Sequence, residues 1–195
     1  MRLKYMERIE DINKAQAMAG EDYERDKGRL ERGQQQKKEQ EKSKTSPETL
    51  SRVVEGLVES GNRLARVLEV RESQGLSPLI DPAEILRLRG VLAEVQNFHH
   101  TKNAEMLLQN LNTIASVVDK FGRAPATRMV KESNEGFNQT IVALKTMEAN
   151  FRDSTLLVAE GDSQIRSVLQ RIANLAQQRW LLVAKKRDIL RNYIR

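Results

Sequence analysis

Few side chains in this sequence could do chemistry, and none belongs to a catalytic or metal-binding motif. His99 and His100 are adjacent, so on a helix they point in different directions and are poor ligands for one metal ion. Cysteine is absent, which excludes thiolate zinc sites and cysteine nucleophiles. The sequence contains no glycine-rich phosphate loop, nucleophile elbow or His-Glu-x-x-His pattern. We therefore predict a protein that is not an enzyme and needs no metal ion or cofactor.

Basic residues are concentrated at the C-terminal end. Between Ser163 and Arg195 eight basic residues face one acidic residue, although the whole chain carries a net charge of only +6. Arg187, Arg191 and Arg195 follow each other at four-residue steps, so a helix would present them as one basic surface. Such a surface could bind nucleic-acid phosphates or an anionic membrane. We prefer the simpler interpretation, which is favourable charge at the C-terminal end of a helix together with solubility.

The composition predicts an all-α protein. Of the 195 residues, 39% are hydrophobic and 31% are charged, and the chain has only four prolines and few aromatic residues. The N-terminus is charged from its first residues, and no apolar run is long enough for a signal peptide or a membrane span. These features favour a cytoplasmic protein, and a virion or a secretion apparatus that uses no signal peptide fits equally well.

The N-terminal region has a weak helical pattern. Its apolar residues fall at steps of three and four, and Gln16 and Asp26 interrupt them. These apolar residues are Tyr5, Ile9, Ile12, Ala19, Tyr23 and Leu30. Residues 34–46 are almost entirely polar and charged. We predict a helical arm over residues 1–33, followed by a flexible linker over 34–46.

The middle of the chain predicts antiparallel helices over residues 47–121. Ser46-Pro47-Glu48 and Asp81-Pro82-Ala83-Glu84 combine a capping side chain, a first-turn proline and an acidic residue, which is typical of helix starts. The turns that end these helices are short, so the helices should pack antiparallel. Near His100 the apolar pattern shifts, which fits a short break or one continuous helix.

The strongest pattern is an apolar heptad repeat in the C-terminal third. Its first position is Val130, Phe137, Leu144, Phe151, Val158, Ile165, Ile172, Arg179, Lys186 and Tyr193. Such a repeat keeps one face of a helix toward a partner helix. We predict a single coiled-coil helix over residues 126–195, roughly 100 Å long. The predicted fold class is therefore an elongated all-α bundle with a very long C-terminal coiled-coil helix.

This long helix should project beyond the bundle. The predicted helix over residues 82–121 could cover it only as far as about Ile165. Beyond that point an exposed apolar face would remain, at about 1.5–3 kcal/mol for each large side chain left in water. We therefore predict an interface with another chain, in a homo-oligomer or a hetero-oligomer. The predicted interface residues are Ile165, Val168, Ile172, Leu175, Trp180, Leu182, Ile189 and Tyr193.

Two charges at core positions of the repeat bear on the choice of partner. Arg179 and Lys186 would repel their own copies in a symmetric parallel dimer. An antiparallel homodimer, or a partner with an acidic surface, would relieve this repulsion. The alternative is that both side chains extend to solvent while their stems cover the seam.

The predicted function is that of a non-enzymatic structural or assembly subunit. It would oligomerise through its C-terminal helix within a larger cytoskeletal, transport, secretion or virion assembly. The alternative is a membrane-remodelling or nucleic-acid-binding helical protein that uses the basic C-terminal helix. Liposome flotation and a DNA shift at two salt concentrations would separate the members of that alternative.

Overall fold

The computed structural model describes residues 2–42, 44–76, 79–122 and 134–193, and this part of the chain is an all-α helical bundle without strands. The elements are α1 (Arg2–Lys42), α2 (Pro47–Ser73), α3 (Pro82–Gln96), α4 (Phe98–Thr101), α5 (Ala104–Asp119), α6 (Asn134–Leu157), a 3₁₀ turn (Glu160–Asp162) and α7 (Ser163–Tyr193). They form two compact units, Met1–Ser43 and Lys44–Arg195. The predicted fold class, with a long C-terminal helix, is confirmed.

Capping side chains fix the starts of the helices in the second unit. Ser46 Oγ accepts a hydrogen bond from the Thr49 amide at 3.2 Å. Asp81 Oδ1 accepts one from the Ala83 amide at 2.9 Å. Each cap satisfies an amide that has no partner inside its own helix, and the proline that follows needs none. The predicted starts of α2 and α3 are therefore confirmed.

The region around His100 is broken rather than continuous. Lys102 adopts a left-handed backbone conformation with φ of 49°, which ends α4. Asn103 then caps α5, because its side-chain oxygen accepts from the amides of Glu105 and Met106. An asparagine at this position competes with the helical backbone for hydrogen bonds, so it starts a new helix instead of continuing the old one.

The five longer helices of the second unit enclose one hydrophobic core. Each packs against two neighbours, in the order α2, α3, α5, α7, α6 and back to α2. The helices α2 and α3 approach each other closely at Gly61, where an added Cβ would lie 2.5 Å from a methyl group of Leu92. Fully buried members of the core include Leu57, Leu64, Leu92, Leu111, Ile114, Leu144, Phe151, Leu169 and Ile172.

The predicted single helix over residues 126–195 is wrong. Helix α6 ends at Leu157, the chain turns through Glu160–Asp162, and α7 packs back along α6 and against α5. The Ala159 amide donates to Thr45 Oγ1 at 2.8 Å, and the Thr45 amide donates to Asp162 Oδ2 at 2.7 Å. These bonds satisfy backbone groups that the break would otherwise leave without partners. Residues 126–133 lie outside the described part of the chain.

The first unit consists of the helix α1, which is longer than predicted. It continues through Gly33 to Lys42, so residues 34–42 are helical and not a flexible linker. Glutamine, lysine and glutamate dominate this segment, and these residues have high helix propensity, whereas Gly33 costs only about 1 kcal/mol relative to alanine. The side chains of α1 that the structure describes, from Met6 to Lys37, are exposed.

Candidate interaction surfaces

The first half of the predicted C-terminal interface lies in the core of the chain itself. Ile165, Val168 and Ile172 are buried, and Leu175 is half-buried against the same core. They occupy the face of α7 that packs on α5 and α6. The prediction that the chain is too short to cover this seam is therefore wrong, because the turn after α6 returns α7 along the bundle. Whether α7 also contacts another chain stays a prediction.

The second half of that interface is less deeply buried. Leu182 packs at Gly122, where an added Cβ would lie 2.7 Å from the Leu182 Cδ2 atom. Gly122 itself has a φ of +75°, a conformation that favours glycine, and an added side chain would also force Leu182 to move. Ile189 remains 47% exposed. The side chain of Tyr193 lies outside the described part of the chain.

Trp180 joins α7 to α6 through its polar edge. Its indole Nε1 donates to Glu148 Oε2 at 2.6 Å, and Lys145 Nζ lies 4.4 Å from the ring centroid. Glu148 also accepts from Arg152 at 3.1 Å. A tryptophan with a satisfied N–H and a cation over its ring is well accommodated inside one chain. The contact predicted for Trp180 is thus supplied by its own molecule.

The two seam charges bind groups at the carbonyl end of α5 and in the turn that follows it. Arg179 donates to the Val118 carbonyl at 3.3 Å and forms an ion pair with Asp119 at 3.0 Å. Lys186 Nζ donates to the Gly122 carbonyl at 2.8 Å. The last carbonyls of a helix have no partner within it and carry partial negative charge, so cations are favoured there. These residues therefore have partners within the chain, which is an outcome that neither sequence interpretation included.

Part of the basic surface at the end of α7 is bound by polar groups of the same chain. Arg187 donates to Asn138 Oδ1 at 2.7 Å and forms an ion pair with Asp188 at 3.0 Å. Arg191 is exposed, and Arg195 lies outside the described residues. The row of three arginines is thus not presented as one free charged surface in the part of the chain that the structure shows.

Two ion-pair clusters connect α3 to its neighbours α2 and α5. Arg89 on α3 makes two hydrogen bonds to the Glu69 carboxylate on α2, at 2.8 and 2.9 Å, and a third to Asn62. The hydrogen bond from Arg89 lowers the pKa of Glu69. Lys120 at the end of α5 lies 2.7 Å from Glu84, and this hydrogen bond lowers the pKa of the Glu84 carboxyl. These clusters orient α3 between α2 and α5.

One cavity of the second unit, about 190 Å³, lies between the end of α2 and the start of α3. Its lining is mostly apolar, with Leu68, Leu76, Leu79, Ile80, Pro82 and Ile85 beside Arg71 and Glu72. Within the described ranges, no three acidic or histidine side chains are placed to hold a metal ion. No helix of the described segments is both long and apolar enough to cross a bilayer.

The helix α1 carries exposed apolar residues on one side, a surface that the sequence interpretation did not treat as an interface. We call this surface the seam of α1. Ile9 is 53% exposed, Ile12 57%, Tyr23 69% and Leu30 68%. These residues share one side of the helix, because they follow the alternating steps of three and four. The spacing is visible in the sequence, but Gln16 and Asp26 make it weaker than the apolar repeat of α6 and α7.

Comparison of this chain with protein-family models, curated proteins and solved structures gives no match.

Proposed function

We propose that the protein is a non-enzymatic assembly subunit in which α1 binds another chain and the second unit is the folded body. The observation that carries this proposal is a 41-residue helix whose described side chains are exposed, among them the large apolar residues Ile9, Ile12, Tyr23 and Leu30 on one side of the helix. Most of the stability of a protein helix comes from packing its apolar face, so a helix of this kind calls for a partner.

The proposal moves the predicted interface from the C-terminal helix to α1. The seam of α7 is occupied by α5 and α6, and its two core charges bind the end of α5 and the Gly122 carbonyl after it. The large apolar residues of the α1 seam are more than half exposed. The cytoplasm, a virion or a secretion apparatus are the settings that we propose for such a subunit.

Paired substitutions in the full-length chain test this function. Ile9→Asp with Ile12→Asp places charge on the seam, whereas Met18→Asp changes an equally exposed apolar residue away from it. Tagged chains are purified from their native source, and the mass of each complex is measured by light scattering. We expect the seam variant to lose its partner chain and Met18→Asp to retain it. Equal masses for all three proteins would exclude α1 as the binding element.

A further inference from the structure

The seam of α1 combines regular spacing with a mixed composition, and this composition bears on the identity of its partner. From Ile9 onward the positions of the seam follow each other at alternating steps of three and four residues, and Gln16 and Asp26 occupy two of them. The seam positions are Ile9, Ile12, Gln16, Ala19, Tyr23, Asp26, Leu30 and Gly33. They combine large apolar, small and polar residues, so a partner must offer a matching series of small, large and polar groups.

We propose that this partner is α1 of a second copy of the chain, running antiparallel with residue 21 of one helix level with residue 21 of the other. In this register no seam position meets its own copy. The inference rests on the proposed function, because it names the partner of the helix that the function assigns to assembly.

The sizes of the facing residues are complementary in this arrangement. Tyr23 faces Ala19 of the second copy, and Ile9 faces Gly33 of the second copy, so large residues meet small ones. Ile12 faces Leu30 of the second copy, which forms an apolar layer on each side of the centre. Alternation of large and small residues across a seam lets two helices interdigitate without voids.

The polar residues of the seam are also matched. Gln16 faces Asp26 of the second copy, so an amide N–H₂ can donate to a carboxylate. A parallel dimer would place Asp26 against Asp26 at the same level, where two like charges are partly desolvated. Asp22 meets its own copy in the antiparallel register, but at the edge of the seam, where water and salt screen the repulsion.

Spin-label distances in the full chain distinguish the two orientations. The chain has no cysteine, so single cysteines can be introduced at Gly20 and Gln35, which both lie outside the seam. An added Cβ has nothing within 4 Å at Gly20, and the Gln35 side chain is exposed. At Gln35→Cys the labels should be about 42 Å apart in the antiparallel dimer, since the two positions are about 28 residues apart along the axis. Gly20→Cys, near the centre, is the control and should give a short distance in either orientation.

Each possible result either supports the proposal or overturns a stated part of it. A dimer with the long Gln35→Cys distance supports the proposal. A dimer with a short Gln35→Cys distance overturns the antiparallel register. A monomeric mass at all concentrations reached in sedimentation overturns self-pairing altogether. The proposed function would survive the last two results, because it fails only when the Ile9→Asp, Ile12→Asp chain keeps its native complex.

A charge substitution at Gln16 should change the affinity of self-association in opposite directions for the antiparallel and the parallel dimer. Gln16→Lys places a lysine opposite Asp26 of the second copy in the antiparallel dimer, but opposite another lysine in a parallel one. We expect self-association about three- to tenfold tighter, since each dimer gains two ion pairs. Gln35→Lys adds the same charge away from the seam and should leave the dissociation constant unchanged. Weaker association of the Gln16→Lys chain would overturn the proposal.

Discussion

The helix α1 and the hairpin of α6 and α7 both show seven-residue apolar spacing, yet they use it differently. In the hairpin, each helix covers the seam of the other, and Ile172 is fully buried. In α1 the corresponding residue Ile12 is 57% exposed. The spacing shows that a helix has a face to be covered, but it does not show whether the cover comes from the same chain or from another one.

The largest difference in unfolding free energy should appear when a charge is placed in the seam of α7 and, separately, in the seam of α1. Ile172→Asp buries an unpaired carboxylate in a fully enclosed site, which should cost more than about 4 kcal/mol and unfold most of the bundle. Ile12→Asp should change the stability of the bundle by less than about 0.5 kcal/mol, because its side chain is exposed. Denaturant unfolding followed by fluorescence of Trp180, the single tryptophan, measures the second unit alone. Equal stability of the two variants would contradict the packing of α7.

The double substitution Ile172→Asp with Leu175→Asp also separates a packed α7 from a freely projecting C-terminal helix. A projecting helix predicts that this variant loses oligomerisation while much of residues 47–160 stays helical. The packing of α7 into the core predicts loss of the bundle itself. Circular dichroism separates these outcomes, since α1 alone would account for the helical signal that remains.

The sequence predicted the helices well and their continuity poorly. Ser46 and Asp81 are local signals, and they fixed the helix starts because a cap acts on amides two or three residues away. The break after Leu157 depended on Gly161-Asp162-Ser163, a local turn signal that lay inside a longer apolar period. The period continued across the break because both helices of a hairpin turn their seams to the same core.

The break can be tested at Asp162. Its carboxylate accepts from the Thr45 amide at 2.7 Å, next to the first turn of α7. Asp162→Ala removes this acceptor and a favourable charge at a helix N-terminus, so the bundle should lose about 1–2 kcal/mol of unfolding free energy. Asp153→Ala, which removes an exposed carboxylate from α6, is the control and should be near neutral. No difference between the two variants would show that the turn is held by packing alone.

The roles of Arg179 and Lys186 could not be predicted from the repeat. Arg179 binds the Val118 carbonyl and the Asp119 carboxylate at the end of α5, and Lys186 binds the Gly122 carbonyl just after it, about 60 residues earlier in the chain. Periodicity identifies a charge on an apolar face, but it does not reveal that another helix ends beside it. Those partners become known only with the fold, and they turn two unfavourable core charges into favourable ones.

A smaller loss is expected at this helix end. Arg179→Met keeps most of the side-chain volume but removes the hydrogen bond to Val118 and the ion pair with Asp119. We expect a loss of about 0.5–2 kcal/mol, since cations at a partly buried helix C-terminus contribute in this range. Lys185→Met removes an exposed cation from the adjoining turn of α7 and should change stability little. Equal thermal midpoints for both variants would contradict the capping role.

The smallest effect concerns the pH dependence of the pair between Glu69 and Arg89. Because Arg89 lowers the folded-state pKa of Glu69 below its ordinary value of 4.5, the pair stabilises the fold at neutral pH. This stabilisation should fade as the pH falls below about 4.5 and through the lower folded pKa. Both side chains are substantially exposed, so the contribution should stay below about 1 kcal/mol. Unfolding free energies of wild type and Glu69→Gln should therefore differ at pH 7 and converge on acidification. With Arg89→Met as the background, Glu69→Gln should have no such pH-dependent effect; if it keeps one, Arg89 is not its source.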